Sequence, residues 1–245
     1  MEDDLALRRK RRFYLGLFIL TFIIACCAVC ILSKPRSILG KLDYNAVVID
    51  ISKGGYRVAP ELACSNETFD EMIARLRPHA AINGAYYGHD RKPLGDIVCR
   101  GKVVCRGFQR QGIGFTSNGK IRFIERKPNH HIDWTGCCSG LACGPRLLRD
   151  GKIDINLHRD GFGSAAGKVT APRCSVGATK DGKLILCVVN DSITLQTLSE
   201  AMLALGAVDA VNLDGGSMCA LYGNGRCLVE PLQPMSNILA VYKIK

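Results

Sequence analysis

An uncharged segment over residues 13 to 32 is the feature that most limits how this 245-residue chain can fold. At a rise of ~1.5 Å per residue, twenty helical residues span a hydrocarbon core of roughly 30 Å. Five consecutive basic residues, Arg8 to Arg12, precede the segment. By the positive-inside rule, such a cluster stays in the cytoplasm. We therefore expect a single-pass signal anchor that places the C-terminal part of the chain outside the cytoplasm.

The same segment has a second interpretation. The run from Ile23 to Cys26 resembles a bacterial lipobox, which would make Cys26 the lipidated first residue of a lipoprotein. Against this, residues 27 to 32 stay apolar, and no Ala-x-Ala cleavage site ends the segment as in a signal peptide. Anchor, lipoprotein and cleaved signal all place the following domain outside the cytoplasm.

The whole chain divides into four parts. We predict a basic cytoplasmic tail over residues 1–12, the transmembrane anchor over 13–32, a short linker over 33–43 and one globular domain over 44–245. Of the formal charge of +11, residues 1 to 36 carry +4, which leaves +7 on the domain. A moderately basic domain suits anionic ligands or anionic envelope surfaces. Nucleic acid is not expected as a partner, because no basic run is interleaved with aromatic residues.

Ten of the thirteen cysteines lie in the predicted domain. An even number in an exported domain fits up to five disulfides, with plain buried thiols as the alternative. Cys137, Cys138 and Cys143 could form part of a metal site, but they lack the two-residue spacing of zinc knuckles. No cysteine stands in a recognisable arrangement with histidine, so a catalytic thiol is not indicated.

Apolar patterning predicts an α+β fold, with a mixed β-sheet domain and a few helices. We predict strands at 45–51 and 80–83 and, between them, a helix at 67–76 capped by Ser65 or Asn66. The middle of the domain is β-rich, because four glycine-containing pairs separate short apolar runs as hairpin turns do. These pairs are Gly101-Lys102, Asn118-Gly119, Asp150-Gly151 and Asp181-Gly182.

A strand, helix and strand unit follows. The apolar strand 184–189 ends at Asn190 and Asp191, and a helix at 195–205 is capped by Thr194 and stopped by Gly206. The next strand, 207–213, arrives at Asp214. A crossover of this kind predicts that Asp191 and Asp214 lie at neighbouring strand ends.

The loop that follows this last strand is typical of a binding site. Asp214 and Ser217 offer a carboxylate and a hydroxyl, and Gly215 and Gly216 let the backbone approach a ligand closely. An Asp-Gly turn closing a hairpin is the alternative.

Six segments, taken in order along the chain, resemble the phosphodiester glycosidase family, whose animal member removes N-acetylglucosamine from a sugar phosphodiester. They begin at Ala81, Gly101, Cys143, Arg173, Leu205 and Ser236. The resemblance extends over roughly residues 45 to 243. Three positions depart from the family: Tyr86-Tyr87 stand where two Phe are usual, Cys174 where Thr follows the Arg, and Ser217 where a third Gly often stands.

The resemblance implies hydrolysis of a glycosyl phosphodiester, such as an N-acetylglucosamine-1-phosphate linkage, on an envelope or host glycan. Arg173 would hold the phosphate, Asp214 would act as general base or nucleophile, and Asp191 would be the second carboxylate. Asn83 and Asn212 would orient the sugar or the attacking water. Further substrate contacts would come from Gly144, Gly215, Gly216 and Ser217.

No cofactor is required by this chemistry. Asp214 and neighbouring carbonyl groups would be the ligands of a divalent cation, but no calcium-loop spacing indicates one. The partners we expect are a glycan or sugar phosphate as substrate and a membrane through the N-terminal helix. The alternative from another class is a noncatalytic glycan-binding or exopolysaccharide-assembly protein that retains the pocket.

Overall fold

A computed structural model describes residues 38 to 244. The predicted cytoplasmic tail and the anchor at 13–32 lie outside the described residues. Between residues 38 and 244, no helix has the length and apolar character needed to span a membrane. The described chain from Lys41 onward forms one compact unit.

Strands dominate this unit. Its α-helices are α1 (Phe69–Leu76), α2 (Leu157–Asp160) and α3 (Leu195–Ala204), and its short 3-10 helices are Ile38–Lys41, Ser164–Gly167 and Gly216–Met218. The strands are β1 (Tyr44–Asp50), β2 (Tyr56–Leu62), β3 (Ala80–Asn83), β4 (Ile97–Cys99), β5 (Lys102–Cys105), β6 (Gln111–Phe115), β7 (Ile121–Glu125), β8 (Ser139–Cys143), β9 (Arg146–Arg149), β10 (Lys152–Ile153), β11 (Ala171–Thr179), β12 (Lys183–Ile193), β13 (Ala207–Asn212), β14 (Leu221–Gly223), β15 (Arg226–Val229) and β16 (Asn237–Lys243). The predicted sheet-rich domain with few helices is confirmed for the described residues.

The strands form three sheets. Sheet A has the order β1-β12-β11-β13-β9-β10, sheet B the order β15-β14-β3-β16-β2, and sheet C the order β5-β4-β8-β6-β7. Side chains from all three sheets share one apolar cluster, which contains Ile82, Leu141 and Val176. The core therefore lies between the sheets, and the strand ends around it can approach one another.

Helices cover the outer faces of two sheets. Leu198 and Met202 of α3 pack on sheet A, and Phe69 and Met72 of α1 pack on sheet B with Ile238. These side chains are almost completely buried, and each such burial stabilises the fold by roughly 1.5–3 kcal/mol. The apolar stripes seen in the sequence are thus core contacts.

The predicted strand, helix and strand unit is present as β12, α3 and β13. Strand β11 pairs antiparallel with both β12 and β13, so the latter two run parallel with β11 between them. The predicted end of the first strand is wrong, because β12 continues to Ile193 and includes Asn190 and Asp191. Pairing of Ala171 with Ile193 extends the ladder past these two residues.

The predicted start of α1 is also wrong. The helix begins at Phe69 and its cap is Thr68, rather than Ser65 or Asn66. Thr68 accepts a hydrogen bond from the Glu71 amide at 3.3 Å, and the Glu71 carboxylate accepts one from the Thr68 amide at 2.8 Å. This reciprocal capping box satisfies the main-chain amides of both Thr68 and Glu71, whereas a single cap satisfies only one.

All four predicted hairpins are present, joining β4 to β5, β6 to β7, β9 to β10 and β11 to β12. In the first, the turn is Arg100-Gly101, and Lys102 already belongs to β5. The predicted disulfides are not found in residues 38 to 244, where all ten cysteines carry free thiols. Five of the ten are buried and fill small apolar positions.

Candidate active site

Asp214 lies two residues beyond the end of β13, beside β11. Ser175 pairs with Asn212, and the Leu213 amide donates to the Cys174 carbonyl at 2.9 Å. One more step along this antiparallel register places Arg173 next to Asp214. The sheet itself therefore holds the two predicted site residues side by side.

Gly215 is required by the closeness of these two chain segments. A Cβ atom at Gly215 would lie 2.8 Å from the Pro172 carbonyl oxygen and 3.7 Å from the Cα atom of Arg173. Glycine permits this backbone approach, and a larger residue would push the loop away from β11. The next residue, Gly216, has a φ of +64° and open space around it.

Asn83 supports the Asp214 loop from the end of β3. Its side-chain amide donates to the Asp214 carbonyl, and its carbonyl oxygen accepts from the Ala220 amide at 3.3 Å. The Asp214 amide in turn donates to the Gly84 carbonyl at 3.2 Å. Asn83 is only 1% exposed. With both ends of its side chain bonded to main chain, it positions the loop, and its predicted direct contact with sugar stays a prediction.

Burial changes the acidity of Asp214. Removing the carboxyl group from water raises its pKa from 3.8 to about 6, and a hydrogen bond from the Gly215 amide at 3.0 Å opposes this rise. The side chain is only partly buried, so a ligand can reach it. A carboxyl group with such a pKa exchanges protons near neutral pH, as acid-base catalysts do.

Arg173 holds its charge without a carboxylate partner. Its guanidinium donates to the Ile193 carbonyl at 3.3 Å and to the Val169 carbonyl at 2.7 Å. Within the described part of the chain it forms no salt bridge, neither with Asp214 nor with Asp191. A positive charge fixed by neutral acceptors remains available to an anionic ligand.

Asn212 and Gly144 meet at a polar cluster beneath Asp214. The Asn212 side-chain amide donates to the Tyr86 hydroxyl at 2.5 Å and to the Leu213 carbonyl at 2.7 Å. The Tyr86 hydroxyl donates to the Gly144 carbonyl at 2.8 Å. The side-chain oxygen of Asn212 is buried and finds no partner among the described residues, so it is an acceptor that a bound ligand could satisfy.

The charges of the site act on Tyr86. Burial raises the pKa of its hydroxyl, the Asp214 carboxylate raises this pKa further, and the Arg173 guanidinium lowers it. Tyr86 therefore stays protonated and keeps donating to Gly144 at neutral pH. The charges of Asp214 and Arg173 therefore both act on the Tyr86 hydroxyl.

Asp191 is held elsewhere. It is exposed on β12, and its carboxylate accepts a hydrogen bond from the Asp43 amide at 2.8 Å. Its predicted role as the second carboxylate of a catalytic pair stays a prediction.

Ser217 lies in the 3-10 helix Gly216–Met218 and is partly exposed. Its carbonyl accepts from the Leu232 amide at 2.8 Å, which ties the loop to residues 230 to 235. Gly216 and Ser217 are the first residues of this short helix, and the first N–H groups of a helix have no acceptor within it. No three His, Cys, Asp or Glu side chains between residues 38 and 244 are grouped to hold a metal ion.

Sequence reasoning did not select Tyr86 and Phe162 as site residues. The two rings make an edge-to-face contact with centroids 6.1 Å apart, and a Cβ atom at Gly144 would lie 3.3 Å from the Phe162 ring. Only Tyr86 left a signal, because its hydroxyl stands where the resembling family usually has Phe.

Comparison with known proteins identifies a family and a shared fold. The phosphodiester glycosidase family matches residues 77–242, and no curated protein matches the chain. Among solved structures, a hypothetical protein from Synechocystis has a TM-score of 0.72 at 16% identity. The alignment covers 83% of this chain and 59% of that protein, so this chain spans less than two thirds of its length.

Two further structures share the fold. The catalytic domain of zebrafish N-acetylglucosamine-1-phosphodiester alpha-N-acetylglucosaminidase, auto-inhibited by its pro-peptide, has a TM-score of 0.62 at 19% identity, covering 86% of this chain and 85% of that one. A candidate exported protein from Burkholderia pseudomallei has a TM-score of 0.62 at 13% identity, covering 81% and 73%. Since the family match spans well over half of the sequence, the chain belongs to the phosphodiester glycosidase family.

Proposed function

We propose that this protein hydrolyses a glycosyl phosphodiester, with a sugar-1-phosphodiester such as an N-acetylglucosamine-1-phosphate linkage as the substrate. The observation that carries the proposal is the pair formed by Asp214 and Arg173. The register of β11 and β13 brings the main chains of these two residues together. Asp214 supplies a partly buried carboxyl group with a pKa of about 6, and Arg173 supplies a guanidinium that no described carboxylate neutralises. Family membership supports the same reaction class.

The residues divide the reaction between them. Arg173 binds two phosphate oxygens, and the amides of Gly216 and Ser217 add dipolar support. Asp214 in its ionised form takes a proton from water as the water oxygen bonds to the anomeric carbon, or attacks that carbon itself. As the new bond forms, the bond between the anomeric carbon and the phosphate oxygen breaks and releases a phosphate monoester. Attack by water gives the free sugar directly, whereas attack by Asp214 gives a glycosyl ester that water then hydrolyses to the free sugar.

The leaving group explains why one carboxylate is enough. Glycosidases acting on O-glycosides of alcohols protonate the leaving oxygen with a second carboxyl group. A phosphate monoester leaves as a stable anion, because its second pKa is about 6. The attraction between the Arg173 guanidinium and the phosphate grows as negative charge develops on the leaving oxygen. This stabilisation takes the place of protonation by a second carboxyl group. The proposed reaction can therefore proceed without the second carboxylate that the sequence assigned to Asp191.

The test is turnover of a panel of sugar phosphodiesters by the purified full-length protein, followed by release of free sugar. We expect release from N-acetylglucosamine-1-phosphodiesters and none from the matching alkyl O-glycosides, which lack the phosphate. Asp214→Asn serves as the inactive control. Binding of these compounds without any turnover would instead favour the noncatalytic glycan-binding or exopolysaccharide-assembly function.

We also propose that the domain lies outside the cytoplasm, held to the membrane by residues 13 to 32, and acts on an envelope or host glycan. The uncharged run and the basic cluster Arg8 to Arg12 support this location. A protease added to intact cells should then remove the domain and leave a cytoplasmic marker protein whole. Retention of the domain under conditions that digest a known surface protein would contradict the location.

A further inference from the structure

A cavity of about 580 Å³ opens next to the candidate active site. Tyr87, His89, Arg91, Gln233 and Pro234 contribute to its lining. A second cavity of about 200 Å³ shares Gln233 and Pro234 and continues to the start of α1. The two cavities adjoin at these shared residues, and together we call them the outer groove. The larger volume is of the size that holds a small organic ligand.

The outer groove begins beside Met218, at the end of the loop that follows Asp214, which we call the catalytic loop (residues 214–218). The Tyr87 hydroxyl donates to the Met218 sulfur at 2.7 Å and lies 3.1 Å from the Pro234 carbonyl oxygen. Burial raises the pKa of this hydroxyl, and the Asp214 charge raises it further. Tyr87 therefore joins Met218, at the end of the short helix that follows Asp214, to Pro234 in the wall of the outer groove.

Loop 230–235 fixes the far wall. The Leu232 amide donates to the Ser217 carbonyl at 2.8 Å, so this wall is bonded directly to the catalytic loop. The Leu232 side chain itself is 84% exposed and makes an apolar rim. A ligand whose sugar phosphate sits at Asp214 and Arg173 would extend its remaining part along this wall.

Arg91 gives the groove its charge. Its guanidinium donates to the Asn66 side-chain oxygen at 3.0 Å and to the Met235 carbonyl at 2.9 Å, and both acceptors are neutral. In the described part of the chain, no carboxylate lies within salt-bridge distance of Arg91, whereas the adjacent Lys92 pairs with Asp90 at 3.1 Å. A held but uncompensated guanidinium favours an anion.

We propose that the outer groove binds the aglycone, the group on the far side of the scissile phosphate, and that Arg91 selects aglycones that carry a second anionic group. The proposal rests on the proposed function, because it assigns the part of the substrate that leaves with the phosphate. The anionic group is a phosphate or a carboxylate, since both present the paired oxygens that a guanidinium binds.

The experiment compares three substrates with the same sugar phosphate and aglycones of equal length. One aglycone ends in a hydroxyl, one in a carboxylate and one in a phosphate. We expect the wild-type protein to show a higher kcat/KM for at least one anionic aglycone than for the neutral one. In Arg91→Gln, this ratio should fall about tenfold, the scale of one hydrogen bond to a charged group. The anionic aglycone whose preference over the neutral aglycone falls in Arg91→Gln is the one that Arg91 selects.

Two further variants of the protein serve as controls for the effect of Arg91→Gln. Lys92→Gln removes a positive charge one residue away on the exposed surface and should leave the ratio as in the wild type. Arg91→Lys keeps the charge but loses the planar fork, so its ratio should lie between those of wild type and Arg91→Gln. Thermal melting of each variant shows whether the fold is intact. An unchanged ratio in a folded Arg91→Gln protein would overturn the proposal.

Binding of the phosphate monoester product separates this proposal from the proposed function, because it requires no turnover. By calorimetry, the protein should bind the monoester of an anionic aglycone about tenfold more tightly than that of the neutral aglycone, and Arg91→Gln should abolish this difference. If the protein shows this binding pattern but hydrolyses no substrate, the proposed role of the outer groove stands and the proposed hydrolysis is wrong. Equal binding of the two monoesters would overturn the groove, whatever the activity.

Discussion

Asn83 donates a hydrogen bond from its side-chain amide to the main-chain carbonyl of Asp214, across 131 positions of sequence. Asn83 ends a strand of sheet B and Asp214 follows a strand of sheet A, so this bond joins the two sheets at the candidate site. The reverse contact, from the Asp214 amide to the Gly84 carbonyl at 3.2 Å, makes the junction two-sided. The position of the catalytic carboxyl group therefore depends on the meeting of two sheets.

Asn83→Ala should lower the free energy of unfolding by about 2 to 4 kcal/mol, because it leaves the Asp214 carbonyl and the Ala220 amide without a partner in a buried region. Asn83→Asp keeps the acceptor for Ala220 but turns the donor toward Asp214 into an oxygen, so at neutral pH it should destabilise at least as much. Urea denaturation of the three proteins checks this order. Full stability of Asn83→Ala would contradict a role in joining the sheets.

Asp214→Asn should stabilise the fold while removing activity. The folded-state pKa is raised from 3.8 to about 6, so the folded protein resists ionisation of this group. Below about pH 4, the carboxyl group is neutral in both states, and the wild type loses stability as pH rises from there to about 6. Above pH 6, the variant should be more stable by about 1 to 3 kcal/mol, the upper value being the full shift and the lower one allowing for partial exposure.

The measurement is chemical denaturation of wild type and Asp214→Asn at pH 4 and at pH 8. The difference in free energy of unfolding should be close to zero at the lower pH and favour the variant at the higher pH. A variant that is less stable at pH 8 would show that Asp214 forms a stabilising ion pair there, against the contacts seen in the structure.

The ionisation of Asp214 also predicts the pH dependence of turnover. If the ionised carboxyl group is the base or nucleophile, kcat/KM should rise with pH and level off above about 6, where the group is deprotonated. Initial rates between pH 4.5 and 8 provide the check, with a substrate whose own groups do not titrate in that range. A rate that falls through pH 6 would make Asp214 a general acid instead.

Local patterns predicted the crossover unit well. Thr194, the apolar stripe of α3 and the apolar residues before Asp214 each carry their information within a few residues, and their elements formed almost as expected. The tertiary contacts of the site left little local trace. Phe162 reaches Tyr86 through a loop without regular apolar periodicity. Asp191 stays within β12 because Ile193, beyond it, pairs with Ala171 of β11. Such long-range pairing overrides local turn signals.

Arg173→Ala should reduce kcat/KM at least about a hundredfold, the effect of losing one positioned charged group, with little change in melting temperature. Arg173→Lys keeps a positive charge but loses the planar fork, so its activity should lie between the two. Exposed Arg226 on β15 is the matched control, and Arg226→Ala should retain wild-type activity. Unfolding of Arg173→Ala would assign the residue to support of the Ile193 and Val169 carbonyls instead.

The two glycines after Asp214 should respond differently to the same substitution. Gly215→Ala places its methyl group 2.8 Å from the Pro172 carbonyl oxygen, so the loop must move away from β11 and carry Asp214 away from Arg173. Gly216→Ala meets no atom within 4 Å, and its cost is the left-handed backbone at φ +64°, about 1 kcal/mol.

We therefore expect Gly215→Ala to lose most of its kcat/KM, since misplacement of a catalytic group by about 1 Å costs on the order of a hundredfold. Gly216→Ala should lose stability and keep measurable turnover. Rates and melting temperatures of both variants, measured side by side, test the geometry directly. If Gly215→Ala retained wild-type turnover, the closeness of β11 to the Asp214 loop would not be needed for catalysis.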